Sequence, residues 1–258
     1  MDISFGIFTY IGREKEVLNV IESIQNQKIE NYEIIVIGGS DKYYDYDTNL
    51  LHFQFDESIK ENWITKKRNI FFENANYDTL VCIHDYLVFG NNWYQGLIKF
   101  GSNFDVLSNK IIKENGLRHF DWMLCTNNEN RFDNLIKQSR QQLLPYDIHN
   151  LSKLMYISGA FFILKKYVAD EFKFNEELVL KEAEDVEWSL RVRKKYIFSF
   201  NQFSEVFIPS VHKNSDTREL VTESLLNDLI EYQNNEIKVI YDFLKYKVFL
   251  KTYKKLFS

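Results

Sequence analysis

The stretch from Thr79 to Trp93 reads TLVCIHDYLVFGNNW. Its apolar run, Leu80 to Ile83, stops abruptly at His84 and Asp85, and an aromatic-rich segment follows up to Trp93. The pattern predicts a buried strand that delivers two metal-competent side chains to its carboxyl end. Ligands of open α/β sheets bind just beyond the carboxyl ends of the strands, so polar residues there carry more weight than polar residues elsewhere. Taken alone, the pair also fits a strand that ends in a polar turn, because one His-Asp pair is weak evidence for a metal. The flanking sequence decides between the two.

Upstream, Ile3 to Phe8 is a short apolar run closing on Thr9 and Tyr10, and beyond Gly12 the residues Val17, Leu18, Ile21 and Ile24 recur at helical spacing. A change of period from strand to helix follows. Glu33 to Ile37 is a second β-branched run, ending in Gly38, Gly39 and Ser40. Two strand-helix steps within about forty residues predict a parallel, doubly wound sheet. The paired glycines either let a ligand approach the backbone or simply make a tight turn. Leu51 to Phe55 alternates like a third strand and ends at Asp56; a helix over Trp63 to Asn76 then carries Lys66, Lys67, Arg68 and Asn69 near its start. Cations in a first turn oppose the helix macrodipole. An anion such as a diphosphate would relieve that conflict, and a solvated basic face is the other reading.

Downstream, a helix is expected over Asn91 to Phe100 and a strand over Phe104 to Leu107. From Ser108 to Ser152 the pattern is lost in a polar stretch with RHFDWML at its centre. A stretch of that length suggests a substrate-facing insertion, with one helix near Leu135 to Leu143. Met155 to Leu164, MYISGAFFIL, reads as one apolar strand broken at Ser158 and Gly159, where a glycine lets a ligand come close. Glu182 to Lys195 is a helix with Glu182, Glu184, Asp185 and Glu187 in its first turn, which suits the dipole. Phe198 to Ile208 supplies one or two last strands leading to His212, and everything beyond Thr217 reads as helix.

A chain of 258 residues that is 45% hydrophobic can bury a full core. A formal charge of -5 argues against a general nucleic-acid binder. Cys82 and Cys125, the only cysteines, form no CxxC pair, a pattern of reducing compartments. No run reaches the roughly 18 to 20 apolar residues of a membrane span, so a cytoplasmic protein is expected. From Ile237 to Ser258, however, six lysines stand against Asp242 alone, interleaved with apolar residues. That tail fits a helix lying on the inner face of a membrane, or a helix packed on its own domain with a solvated basic face.

Several ordered motifs resemble one family. FTYIGREKEVLNVIESIQNQ is similar to the opening of the nucleotide-sugar-dependent, inverting glycosyltransferases of family 2, which have the GT-A fold; EIIVIGGSD resembles their second strand and its turn. KKRNIFFENANYD looks like their Ala-Arg-Asn helix, VCIHDY falls where they carry Asp-x-Asp, and SGAFFILKK and EDVEWSLRVRKK match the acceptor-side strand and the Glu-Asp helix. The resemblance spans Ile3 to His212 and implies a GT-A (Rossmann-like), mostly parallel sheet flanked by helices. It divides the chain into a glycosyltransferase domain over 1–215, with a nucleotide-binding half (1–107) and an acceptor-binding half (108–215), and a basic helical tail over 216–258. Two departures stand out. Gly38 replaces a frequent acidic residue, and His84-Asp85-Tyr86, like the His-Asp-Tyr or His-Asp-Arg signature of one bacterial sub-branch, leaves a single carboxylate.

The resemblance implies transfer of a sugar from a nucleoside diphosphate, most simply a UDP-sugar, to a glycan or lipid-linked acceptor in bacterial surface polysaccharide or lipooligosaccharide synthesis. Asp185 is the expected general base, with Glu184 positioning it or binding a sugar hydroxyl. The donor is expected on Thr9, Tyr10, Gly39, Ser40, Asp56, Lys67, Arg68, Asn69 and His84. A divalent cation, Mn2+ or Mg2+, is expected on Asp85 and His212. Asp121, Trp122 and Trp188 are candidates for the acceptor, since aromatic rings stack on sugar faces, although core packing is the competing reading for both tryptophans. A non-catalytic nucleotide- or glycan-binding member of the fold is the alternative. A nucleotidyltransferase would need a glycine-rich loop after the first strand, and FTYIGRE is too poor in glycine for that.

Overall fold

The computed structural model describes residues 1–40, 46–126, 140–148, 155–209, 220, 222–224 and 226–227. The chain divides into two compact units, Met1–Leu220 and Val221–Ser258. The second lies almost wholly outside the described residues, as do His212 and the basic tail. Among the described residues no helix is long and apolar enough to cross a membrane.

The expected α/β architecture is present. Strands β1 (Ile3–Phe8), β2 (Tyr32–Ile37), β3 (Leu50–Phe53) and β4 (Thr79–His84) run parallel in one sheet, with β1 paired to both β2 and β4. Four more strands extend it: β5 (Val88–Phe89), β6 (Val106–Lys113), β10 (Phe161–Lys165) and β11 (Phe198–Ile208), in the order β3-β2-β1-β4-β10-β6-β11-β5. Only β10 and β5 run against their neighbours. Every residue of β1 and β4 is buried, which is why both read as unbroken apolar runs rather than as alternation. Helices α1 (Glu14–Gln25), α2 (Ile64–Asn74) and α3 (Trp93–Phe100) complete the first half. Helix α1 packs through Val17, Val20, Ile21 and Ile24, each buried apolar side chain contributing about 1.5–3 kcal/mol.

The second half departs from the sequence reading in two places. Arg140–Leu143, expected to close a helix, is strand β8, paired antiparallel to β7 (Trp122–Thr126). Cross-strand pairing overrides a weak local preference here; residues 135–139 lie outside the described ones. Met155 to Leu164, expected as one strand, is two: β9 (Met155–Ile157) joins β8 and β7 in a separate three-stranded sheet, and β10 enters the main sheet. Ser158 and Gly159 are the crossing between sheets. Helices α4 (Lys166–Glu171) and α5 (Glu184–Val192) follow, and β11 runs unbroken through an irregularity between Asn201 and Glu205.

That irregularity locks α3 in place. Ser204 Oγ donates to the Trp93 carbonyl at 2.7 Å, and Asn201 Nδ2 donates to Ser204 Oγ at 2.8 Å. Gly96 presses on the same turn, where an added Cβ would lie 2.2 Å from the Phe203 carbonyl oxygen. Helix propensity alone would favour alanine by about 1 kcal/mol. Overpacking against backbone costs about 1–3 kcal/mol or more and is not relieved by a rotamer change. Gly96→Ala is therefore predicted to lower stability in urea denaturation, and an unchanged or raised midpoint would contradict this packing.

Candidate active site

Parallel pairing brings the carboxyl ends of β1, β2 and β4 to one edge, and the reversed β10 brings its amino end there too. Phe8 faces Ile37 on one side and His84 on the other, and His84 N–H donates to the Ala160 carbonyl at 3.1 Å. The loops after β1, β2 and β4 and the crossing before β10 therefore open on the same place.

Asp85 stands at its centre, 5% exposed. Thr9 Oγ1 donates to its Oδ2 at 2.7 Å, and Arg13 Nη2 to its Oδ1 at 3.2 Å. Burial raises the Asp85 carboxyl, while the Thr9 hydrogen bond and the Arg13 charge pull it down. His84 is buried between the rings of Phe8 and Tyr86, with centroids 6.2 and 5.4 Å away. Burial first, then the charges of Arg68, Lys67 and Arg13, press its imidazole down to about 3, so it is neutral at pH 7.

The two cations at the start of α2 point inward. Lys67 has no exposed surface: its ammonium donates to the Thr9 carbonyl at 2.7 Å and to Glu57 Oε1, and lies 3.7 Å from the centre of the Tyr10 ring. Burial lowers its proton affinity and Glu57 restores part of it. Arg68, also without exposed surface, donates from Nη1 to Glu184 Oε1 at 3.1 Å and from Nη2 to the Gly159 carbonyl at 2.9 Å. Lys66 pairs with Glu176 at 3.1 Å. Protein carboxylates thus balance each member of the basic cluster. These charges are offset within the fold without an added anion, by Glu57 ten residues before Lys67 and by Glu176 and Glu184 more than a hundred residues further on.

Asp185 sits on the first turn of α5, beside Glu184. Its Oδ2 accepts the Gly159 N–H and its Oδ1 the Val186 N–H, both at 2.9 Å. Burial and the neighbouring Glu184 charge push its carboxyl up from 3.8 to about 6, against the pull of Arg68. Gly159 is the hinge of this arrangement, because a Cβ there would meet Arg68 Nη2 at 2.7 Å and the Asp185 and Glu184 carboxylates at 3.3 Å. The chain enters α5 through Lys181 and Ala183, both in the left-handed region at φ 76° and 57°. Such backbone costs about 1 kcal/mol or more per residue and concentrates at functional sites.

The edge therefore gathers Thr9, Tyr10, Gly39, Ser40, Lys67, Arg68, His84, Asp85, Glu184 and Asp185. The other expected residues are engaged elsewhere. Asp56 is exposed, its Oδ1 accepting from Ser58 N and Oγ. Asn69 is tied to Phe174 and Glu176. Asp121 accepts from Arg118, Tyr146 and the backbone of Trp122. Trp122 and Trp188 have no exposed surface; their indole N–H groups donate to Ile148 and Phe172 carbonyls, and Trp188 stacks on Phe174 at 5.1 Å. Neither ring offers a face to a sugar, so core packing is the reading the structure supports. Two residues were missed. Arg13 stands within the quoted opening motif, which could have signalled it; nothing in the sequence around Glu57 marks it as the partner of Lys67.

Of the two residues expected to hold a metal, only Asp85 is among the described ones, and both its oxygens already accept hydrogen bonds. Among them no group of three metal-competent side chains converges. They do not fit a cation site by themselves, and His212 lies outside them.

No family model and no curated protein matches this sequence. Among solved structures the chain is similar to two crystal structures of S. aureus TarS. For one, 89% of this chain covers 38% of the other at a TM-score of 0.53 and 17% identity. For the structure of TarS residues 1–349, 89% covers 69% at 0.54 and 18%. The chain thus spans about two fifths of the length of the longer one, and the likeness establishes a shared fold.

Removing a buried ion-pair partner strands the other charge and costs about 3–5 kcal/mol, whereas a half-exposed pair is worth about 0–1 kcal/mol. Arg68→Met is predicted to fall in the first class and Lys66→Met in the second when the two are compared by denaturant unfolding. Equal losses would contradict the assignment of Arg68 as the buried tie.

Proposed function

We propose that this protein is an inverting glycosyltransferase that moves a sugar from a nucleoside-diphosphate donor to a hydroxyl of a bacterial surface glycan or its lipid-linked precursor. The observation that carries the reading is Asp185: a carboxylate raised towards neutrality, fixed by two backbone N–H groups at the ligand-binding edge of the sheet. A purely binding protein has no need of such a group, whereas a general base works best with a proton affinity near the operating pH. The fold shared with TarS, a glycosyltransferase, supports the reading, as do the ordered motifs of the sequence. The surface-glycan acceptor rests on those motifs and on the basic tail.

In the proposed reaction the acceptor hydroxyl gives its proton to Asp185 as its oxygen attacks the anomeric carbon. The bond from that carbon to the diphosphate oxygen breaks on the opposite face, and the diphosphate leaves with the electron pair, so configuration inverts. Glu184, held by Arg68, lies beside Asp185, and its charge raises the Asp185 carboxyl and strengthens it as a base. Arg13, about a third exposed, is the cation that faces outward at Asp85 and is assigned to the leaving phosphate. Divalent-cation dependence follows from the resemblance, and binding of the donor with Mn2+, Mg2+ or EDTA decides it.

Two outcomes are expected. Asp185→Asn should lower kcat about 10²- to 10⁴-fold while donor affinity by calorimetry stays within a few-fold. For wild type, kcat/KM should rise with pH and level off above about 6, since only the ionised base is active. An Asp185→Asn enzyme of normal turnover would refute the assignment.

A further inference from the structure

Arg68, expected among the donor contacts, spends its guanidinium on the protein instead. It has no exposed surface, and its Cζ lies 4.8 Å from the centre of the Phe174 ring and 6.0 Å from that of Phe162. Phe174 is itself held by Asn69, which accepts its N–H at 2.8 Å and donates to its carbonyl at 3.0 Å. Set against these rings, the planar fork reaches two partners at once, the Gly159 carbonyl through Nη2 and Glu184 Oε1 through Nη1.

Gly159 links that fork to Asp185. Its carbonyl accepts from Arg68 and its N–H donates to Asp185 Oδ2, both at 2.9 Å. Glycine has the widest choice of backbone conformations, so without the tie on its carbonyl the crossing would be free to turn its N–H away from the carboxylate. Among the described residues, the charged and titratable groups that face Asp185 are Arg68 from α2, Glu184 from its own helix and Tyr86 from the turn after β4. Burial first, then the carboxylates around it, keep the Tyr86 phenol protonated.

Resting on the reading of Asp185 as general base, we propose that Arg68 is a positioning residue for that base and not a ligand of the donor: it aims the Gly159 N–H at Asp185 Oδ2 and holds Glu184 alongside. The Gly159 and Val186 N–H groups fix the carboxylate, and the lone pairs they leave over take the acceptor proton. The charges of Arg68 and Glu184 act on Asp185 in opposite senses, so the pair sets the pH at which the base works.

Glycine-selective 15N labelling yields at most nine backbone signals, and the Gly159 amide reports ionisation of the carboxylate it touches. In wild type its proton shift is expected to titrate with a midpoint of about 6, and Asp185→Asn should abolish that titration. Glu184→Gln should lower the midpoint and Arg68→Gln raise it, each by about one pH unit. Arg68→Lys keeps the charge but loses the fork; it should hold the midpoint while the Gly159 amide exchanges with solvent about tenfold faster. Where loss of the buried charge unfolds Arg68→Gln, the other two variants carry the test. Calorimetry with UDP, dTDP, CDP and GDP should give Arg68→Lys the affinity of wild type within a few-fold. A midpoint unmoved by Glu184→Gln, an amide equally protected in Arg68→Lys, or a loss of nucleotide affinity beyond tenfold in Arg68→Lys would overturn the role of Arg68 and leave the transferase reading in place. A Gly159 amide that does not titrate in wild type, or failure of every nucleotide to bind it, would overturn both.

Discussion

Two cations buried side by side at the start of α2 are the constraint on which the rest of the site depends. Burying Lys67 and Arg68 costs several kcal/mol each unless every hydrogen-bonding group is met. Lys67 is met by the Thr9 carbonyl, Glu57 and the Tyr10 ring, and in being met it joins the β1 turn to the loop before α2. Arg68 is met at Nη2 by Gly159 and at Nη1 by Glu184, which joins α2 to the crossing before β10 and to α5, while its Nε is buried without a partner. One helical turn thus fixes both halves of the edge.

The arrangement carries a cost in stability that fits a catalytic role. Folding raises the Asp185 carboxyl from 3.8 to about 6, so the native state holds this proton more tightly than the unfolded chain does. The group contributes nothing to the balance below pH 3.8, opposes folding increasingly as pH rises between the two values, and does so fully above about 6. Left-handed backbone at Lys181 and Ala183 adds to the strain at the same helix entry. Both costs are met by the large aromatic core, in which Trp93 packs on Phe89 at 4.6 Å and Trp188 on Phe174.

What the sequence made legible follows from how local each signal is. The strands β1, β2 and β4 were visible because both faces are covered and their residues run apolar without a break. Asp85 and Asp185 were visible because a strand end and a helix start mark them. The fate of the basic cluster was not, because Glu176 and Glu184 reach α2 from positions that only the folded topology brings near, and nothing in the sequence marks the nearby Glu57 as a partner. Trp122 and Trp188 misled for a related reason: an aromatic ring beside polar residues has the same sequence signature whether it stacks on a sugar or fills a core. Strand β8 was missed because its pairing with β7 is non-local and Arg-Gln-Gln-Leu has no strand signature of its own.

The account stands or falls on where a donor nucleotide sits. The direct measurement is a crystal structure of the protein with a nucleoside diphosphate, refined without bias for the ligand. The account predicts the nucleotide at the carboxyl edge with its diphosphate on Arg13, and with the Lys67–Thr9 and Arg68–Gly159 contacts unchanged. A nucleotide bound away from the carboxyl edge, or phosphates that draw Lys67 and Arg68 out of those contacts, would contradict it.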